Sequence, residues 1–315
     1  MKIIITGGLG YLGAELSKFL ERKGFKVYII DSCLYKNFLN VGSSIIKEDV
    51  RRLSQRSIKL IKESDVIIHL AAIVGDPACD LIKEEAVDIN LNGTKKIIIL
   101  AKKYNKKLIF SSTCSVYGAS KNLLTERSKT LPLSIYALTK LAAENYIERS
   151  KINYVIFRMG TIFGLSDRMR FDLVLNKFVA DAVIKKKITI FGGNQWRPFL
   201  YMKDAIEFYY KTIENNCFPK EIFNISSFNI KILKLGQLIS KNLGCEMDIK
   251  KEIVDPRDYR VSTKKAENYF KIKTDVSSLN KGIKEIANSI KTGEIKNPYS
   301  SIYYNIEVLR EMRKK

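Results

Sequence analysis

The segment Ser134-Ile-Tyr-Ala-Leu-Thr-Lys140 places a phenol, Tyr136, and an amine, Lys140, four residues apart. The following run, Leu141-Ala-Ala-Glu-Asn-Tyr-Ile, reads as helix. On a helix, residues i and i+4 lie one above the other on a single face. A nearby ammonium favours phenolate, so Lys140 is expected to lower the Tyr136 pKa from its ordinary value of about 10. A phenol tuned that way exchanges a proton with a sugar or alcohol hydroxyl near neutral pH. The spacing alone is weak in a chain with 16 tyrosines, where a surface lysine beside a packed tyrosine is the plain alternative.

The N-terminus supplies the elements that would position such a pair. Lys2-Ile-Ile-Ile-Thr6 is an apolar run, followed at once by glycines at 7, 10 and 13, then by Leu12, Leu16, Phe19 and Leu20 at helical spacing. This reads as strand, tight turn, helix. Gly7 permits the turn, Gly10 lets backbone approach a pyrophosphate, and Gly13 lets the helix pack close to the strand. The phosphates would meet the positive end of that helix. A second apolar run, Lys26-Val-Tyr-Ile-Ile30, ends in Asp31. A carboxylate about twenty residues past the glycines accepts hydrogen bonds from the adenosine ribose and repels a 2′-phosphate, which points to NAD over NADP.

The 315 residues suffice for one large domain or two smaller ones with an ample core. No apolar run approaches the ~20 residues that span a bilayer, so no membrane association is expected. The N-terminal apolar stretch reads as the strand of the glycine fingerprint and not as a signal peptide. Cysteines 33, 79, 114, 217 and 245 form no Cys-x-x-Cys pair and read as free thiols of a cytoplasmic protein. A single histidine, His69, argues against a histidine-based metal site, and it reads as structural. The net charge of +22 could signal nucleic acid. The lysines are spread along the chain, however, and no nucleic-acid motif accompanies them. The charge reads as a general Lys/Ile/Asn compositional bias together with a field that attracts an anionic substrate.

Strand-like runs at 2–5, 26–30, 65–70, 107–111, 153–157 and 187–191 alternate with amphipathic helical stretches. That alternation implies an α/β fold, a Rossmann-type doubly wound parallel sheet. Beyond about residue 165 the pattern loosens and Arg, Asn and aromatic residues gather, groups suited to a diphosphate and a nucleobase. We therefore expect an NAD-binding domain over 1–165 and a smaller C-terminal α/β substrate lobe over 166–315, with interleaved boundaries and the cleft between them.

These residues together resemble the extended short-chain dehydrogenase/reductase family, the nucleotide-sugar epimerases and dehydratases. The resemblance spans nearly the whole chain: Gly7-Gly-Leu-Gly-Tyr-Leu-Gly13, Glu48-Asp-Val, His69-Leu-Ala-Ala72, Asn90-x-x-Gly-Thr94, Phe110-Ser-Ser-Thr-Cys-Ser-Val-Tyr-Gly118, Tyr136-x-x-x-Lys140, Phe157-Arg-Met-Gly-Thr-Ile-Phe-Gly164 and Arg197-Pro-Phe-Leu-Tyr-Met-Lys-Asp204. It implies a catalytic set of Thr113, Tyr136 and Lys140, with Thr113 bonding the reacting hydroxyl and Lys140 the nicotinamide ribose. It implies cofactor contacts at Tyr11, Leu12, Asp49 (to the adenine amine), Val50, Leu70, Ala71, Ala72, Asn90 and Ser111, besides the glycines and Asp31. It also implies a homodimer formed through the Tyr136 helix and its neighbour at about 85–104.

Within the family, the 4,6-dehydratases carry an Asp-Glu pair after the threonine, whereas this chain has Cys114-Ser115. Neither a serine hydroxyl nor a thiol of pKa ~8.5 is a good acid for expelling hydroxide. Enzymes that epimerise at C3 and C5 place a cysteine where Ser115 stands. What remains is oxidation at C4, ending as a 4-epimerase or a 4-dehydrogenase of a nucleotide-diphosphate sugar. Ala71-Ala-Ile-Val-Gly-Asp-Pro-Ala-Cys79, Arg168-Met-Arg-Phe-Asp-Leu-Val-Leu-Asn176 and Pro256-Arg-Asp-Tyr-Arg260 are similar to a subgroup of bacterial surface-polysaccharide enzymes that includes GDP-heptose 4-dehydrogenases. That similarity makes Cys114, Ser115, Arg170, Asn176, Arg197 and Arg257 the expected substrate contacts. Thr161 departs from the family's frequent Asn. Alternatives are a 4,6-dehydratase, a reductase, or a non-catalytic NAD-sensing protein on the same scaffold.

Overall fold

The computed structural model describes residues 1–35, 44–250 and 257–314. Its centre is a seven-stranded sheet: β1 (Lys2–Thr6), β2 (Lys26–Asp31), β3 (Ser44–Lys47), β4 (Val66–His69), β5 (Lys107–Thr113), β6 (Tyr154–Met159) and β7 (Glu221–Ile225). The spatial order is β7-β6-β5-β4-β1-β2-β3, and every pair is parallel. The chain moves outward from β1 through β2 to β3, then returns to place β4 on the other side of β1. This reversal opens a crevice beyond the carboxyl ends of β1 and β4, where ligands of open α/β sheets bind.

Helices cover both faces, which is why the central strands are apolar throughout. Successive β1 side chains point to opposite faces. Ile3 and Ile5 join Leu12, Leu16 and Leu20 of α1 (Tyr11–Arg22) in one core. Ile4 joins Ile97 and Ala101 of α2 (Thr94–Lys103) and Ala143 and Ile147 of α3 (Ile135–Ser150) in the other.

Two differences from the sequence reading concern strands. The run 187–191 forms a separate two-stranded sheet with Glu246–Lys250. The two edge strands, β3 and β7, were not among the expected runs. Each is short with a polar end, and β3 buries only Ile46, so neither has the continuous apolar pattern of the centre. In the second half, Trp196–Tyr201 pairs with Thr161–Phe163 and Phe228–Lys231. Pro256 of the Pro256-Arg-Asp-Tyr-Arg260 motif lies outside the described residues.

Candidate active site

Gly7 turns the chain after β1 at φ +72°, a conformation open to glycine at little cost. A Cβ there would lie 2.6 Å from the Ala71 backbone nitrogen. A Cβ on Gly13 would overlap the Gly7 carbonyl and lie 2.7 Å from the Gly8 Cα, so only glycine lets α1 start this close. Gly10 caps α1 without any side-chain hydrogen bond. The first N–H groups of the helix are thus left for an anion at its positive end. Gly7, Gly10, Tyr11, Leu12 and Gly13 line a cavity of about 520 Å³.

Asp31, at the end of β2, lines the same cavity. Its Oδ2 accepts the Leu9 N–H at 3.0 Å and its Oδ1 the Cys33 N–H at 2.8 Å, which leaves lone pairs for a ligand. Burial pushes its carboxyl pKa up. Asp49 and Val50 line this end too. Burial alone would raise the Asp49 pKa, but Arg51 holds it down by clasping the carboxylate, with Nε 3.0 Å from both oxygens and Nη2 2.6 Å from Oδ2. The Asp49 carboxylate is therefore already shared with Arg51.

Leu70, Ala71 and Ala72 follow β4 along the cavity wall, and Ser111 and Thr113 come from β5. Tyr136 and Lys140, one turn apart on α3, complete the far end. The Thr113 hydroxyl lies near the Tyr136 phenol and favours its ionised form. The expected lowering of the Tyr136 pKa is not found. Burial dominates and pushes the phenol up, Cys79 and Asp76 push the same way, and Arg170 opposes. The Lys140 Nζ donates to the Ser111 carbonyl at 2.8 Å and lies 4.7 Å from the Phe110 ring centroid. Burial brings the Lys140 pKa down to about 8.

Arg170, Arg257 and Ser115 also line the cavity. Arg170 is held by Asp172 at 2.6 Å. Arg257 Nη1 lies 2.8 Å from Asp76 Oδ2, and the Ser134 hydroxyl donates to Asp76 Oδ1 at 2.7 Å.

Four expected contacts are not on the cavity wall. Cys114 is fully buried, its thiol directed at the Arg158 carbonyl at 3.1 Å. Asn176, also fully buried, donates to the Tyr11 hydroxyl and the Arg170 carbonyl, each at 2.9 Å. Arg197 donates to the Trp196 carbonyl at 2.9 Å and lies behind the cavity-lining Tyr259, 5.8 Å from its ring centroid. Asn90 sits behind the cofactor-side wall and braces it: its Oδ1 accepts the Ile73 N–H at 2.8 Å, and its Nδ2 donates to the Ile73 carbonyl at 2.9 Å. Cys79 is buried and directed at the Ile73 carbonyl, with its pKa pushed up to about 12 by burial.

Sequence reasoning passed over Asp76, Arg168, Tyr259 and Asn305, all on the wall. Arg168 had a local signal, two residues from Arg170 in the Arg-Met-Arg stretch. Among the described residues no cluster of His, Cys, Asp or Glu could hold a metal ion, and no helix is long and apolar enough to cross a membrane.

The model of the NAD dependent epimerase/dehydratase family matches residues 3–226. The chain belongs to that family. It is an NAD-dependent enzyme of nucleotide-sugar chemistry, and the wall fits the cofactor: a turn too tight for side chains, a free helix end, a carboxylate at the end of β2 with lone pairs to spare and a buried amine. Among relatives, the uncharacterized UDP-glucose epimerase YtcB of Bacillus subtilis (strain 168) is 31% identical over 228 residues, 66% of this chain and 71% of that protein. A Methanocaldococcus jannaschii protein provisionally named UDP-glucose 4-epimerase is 28% identical over 314 residues, 92% of this chain and 98% of its own. Among solved structures, a Bacillus cereus UDP-glucuronic acid 4-epimerase in complex with UDP-glucuronic acid and NAD is similar, with TM-score 0.81 and 28% identity, covering 93% of this chain and 99% of that one.

Proposed function

We propose that this enzyme oxidises C4 of a nucleotide-diphosphate sugar, as a 4-epimerase or a 4-dehydrogenase, in the biosynthesis of surface-polysaccharide sugars. The observation that carries this reading is that Thr113, Tyr136 and Lys140 line one cavity with the glycine turn. NAD, when bound, accepts the hydrogen that leaves C4 as hydride. Tyr136 takes the proton from the C4 hydroxyl. Thr113 orients that hydroxyl. Lys140, fixed by the Ser111 carbonyl, has further N–H groups to hold the nicotinamide ribose. Positions 114 and 115 carry no carboxylate, and Cys114 faces the core, which weighs against elimination of water. Arg170 and Arg257 are the candidate contacts for the substrate's phosphates or sugar.

In this reading residues 1–165 hold NAD and 166–315 form the substrate lobe. The protein works in the cytoplasm as a homodimer, through α2 and α3. Ile99, Leu138 and Tyr146 on these helices are large apolar side chains that are 61%, 53% and 47% exposed.

The test is purified protein with NAD and a panel of UDP- and GDP-linked hexoses, heptoses and hexuronates. The named relatives suggest UDP sugars, and the Arg168-to-Asn176 stretch resembles the GDP-heptose enzymes. NADH absorbance that accumulates with turnover marks a dehydrogenase; a new epimer by NMR without net NADH marks an epimerase. Tyr136→Phe should lose about 100-fold or more of that turnover. Unchanged turnover in this variant would refute the reading.

A further inference from the structure

The middle of the cofactor cleft holds two buried donors without a hydrogen-bond partner among the described residues. Arg168 is only 3% exposed, and its Nε–H has no hydrogen-bond partner among the described residues. The same is true of the Tyr35 hydroxyl. The two side chains stack, with the guanidinium carbon 4.3 Å from the ring centroid, and both line the cavity. Asn305 Oδ1 accepts from Arg168 Nη2 at 2.6 Å and fixes the guanidinium from the other side. Arg170 is matched by Asp172, whereas Arg168 forms no ion pair among the described residues. Buried donors are satisfied in the great majority of cases, so two adjacent exceptions of this kind call for an acceptor.

Their place in the cleft says which acceptor. The Ser166 hydroxyl donates to the Tyr11 carbonyl at 2.8 Å and accepts the Arg168 N–H at 3.3 Å, which ties this segment to the first turn of α1. The Arg168 charge is felt by Asp31 on one side and by Arg170 on the other. Arg170 in turn lies against Gly75, and its charge reaches Tyr136. A dinucleotide that runs from Asp31 to Tyr136 carries its diphosphate between those ends, over the first turn of α1.

We propose that Arg168 and Tyr35 form a clamp for the cofactor's diphosphate, donating Nε–H and O–H to its phosphate oxygens. Asn305 is a positioning residue for that clamp, so the helix Asn305–Arg313 belongs to the cofactor site. The inference rests on the NAD cleft and is independent of which sugar the enzyme accepts.

The experiment is calorimetric titration of full-length protein, stripped of co-purified nucleotide, with NAD, ADP-ribose, NADP and adenosine. Arg168→Gln should weaken NAD and ADP-ribose by about tenfold or more, the loss expected for a charge-assisted hydrogen bond, and leave adenosine unchanged. Tyr35→Phe should weaken the same two ligands several-fold without lowering the melting temperature of the free protein, since the hydroxyl it removes has no partner among the described residues. If Arg168→Gln fails to fold, Tyr35→Phe decides. Wild-type affinity for ADP-ribose in the folded variants would overturn the clamp. So would a proportional loss of adenosine, or a loss confined to NADP, which would put the guanidinium at the ribose 2′ position.

Discussion

The Asp31 carboxylate is buried and already accepts two backbone N–H groups, and burial still outweighs them and raises its pKa. In its proposed role it accepts ribose hydroxyls best as the carboxylate. NAD affinity should therefore fall on acidification, by about tenfold per pH unit below the Asp31 pKa, and at a higher pH than an ordinary aspartate of pKa about 3.9 would give. Calorimetry across pH 7 to 5 checks this, and Asp31→Asn should bind NAD weakly with little pH dependence. His69 titrates to the opposite end. It lies between the Thr6 hydroxyl at 2.6 Å and the Thr94 hydroxyl at 2.8 Å, and burial lowers its pKa to about 3. The unfolded chain, with a histidine pKa near 6.5, then binds the extra proton between those values, and stability falls as pH drops through that window. Denaturant midpoints between pH 6.5 and 5, where few carboxylates titrate, should decline in the wild type and flatten in His69→Gln.

Helix α3 carries Tyr136, Lys140 and Glu144 at successive i+4 positions, and the third anchors the helix to the sheet. Glu144 is fully buried and takes Arg158 Nη2 at 2.6 Å and Nε at 3.1 Å, together with the Ser112 hydroxyl. It thereby joins the catalytic helix to β5 and β6 beside Thr113. Glu144→Ala leaves the Arg158 guanidinium buried without its anion and should cost about 3–5 kcal/mol in chemical denaturation. The glycine turn, Asp31 and the Tyr136–Lys140 pair were legible in the sequence because each depends on spacing within one or two elements. Cys114 was misread because adjacency in sequence says nothing of direction. Thr113 ends β5 at the cavity, and Cys114 opens a 3-10 turn, Cys114–Tyr117, in which its side chain is buried in the core. Asp76, Tyr259 and Asn305 reach the wall by long-range packing that no local pattern encodes. The Tyr136 pKa differs from the sequence expectation because burial of the phenol, which spacing does not reveal, dominates it.

The two halves of the chain are joined at the cofactor. The Tyr11 hydroxyl, on the first residue of α1, accepts from Asn176 Nδ2 at 2.9 Å, and the Tyr11 carbonyl accepts from the Ser166 hydroxyl at 2.8 Å. The cleft is thus built from both halves before any ligand arrives. The proposed dimer should be sensitive at its centre: Leu138→Asp should convert it to a monomer in light scattering after size exclusion. Retention of the dimer would assign the pairing to another face.

The last helix also reaches inward. Leu309 is buried in the same cluster that contains Tyr136, Ile73 and Cys79, and the Arg313 guanidinium donates to the Leu81 carbonyl at 3.0 Å. Protein engineers who fuse reporters or purification tags directly after this helix, or trim it to aid crystallisation, would be altering the nucleotide site itself.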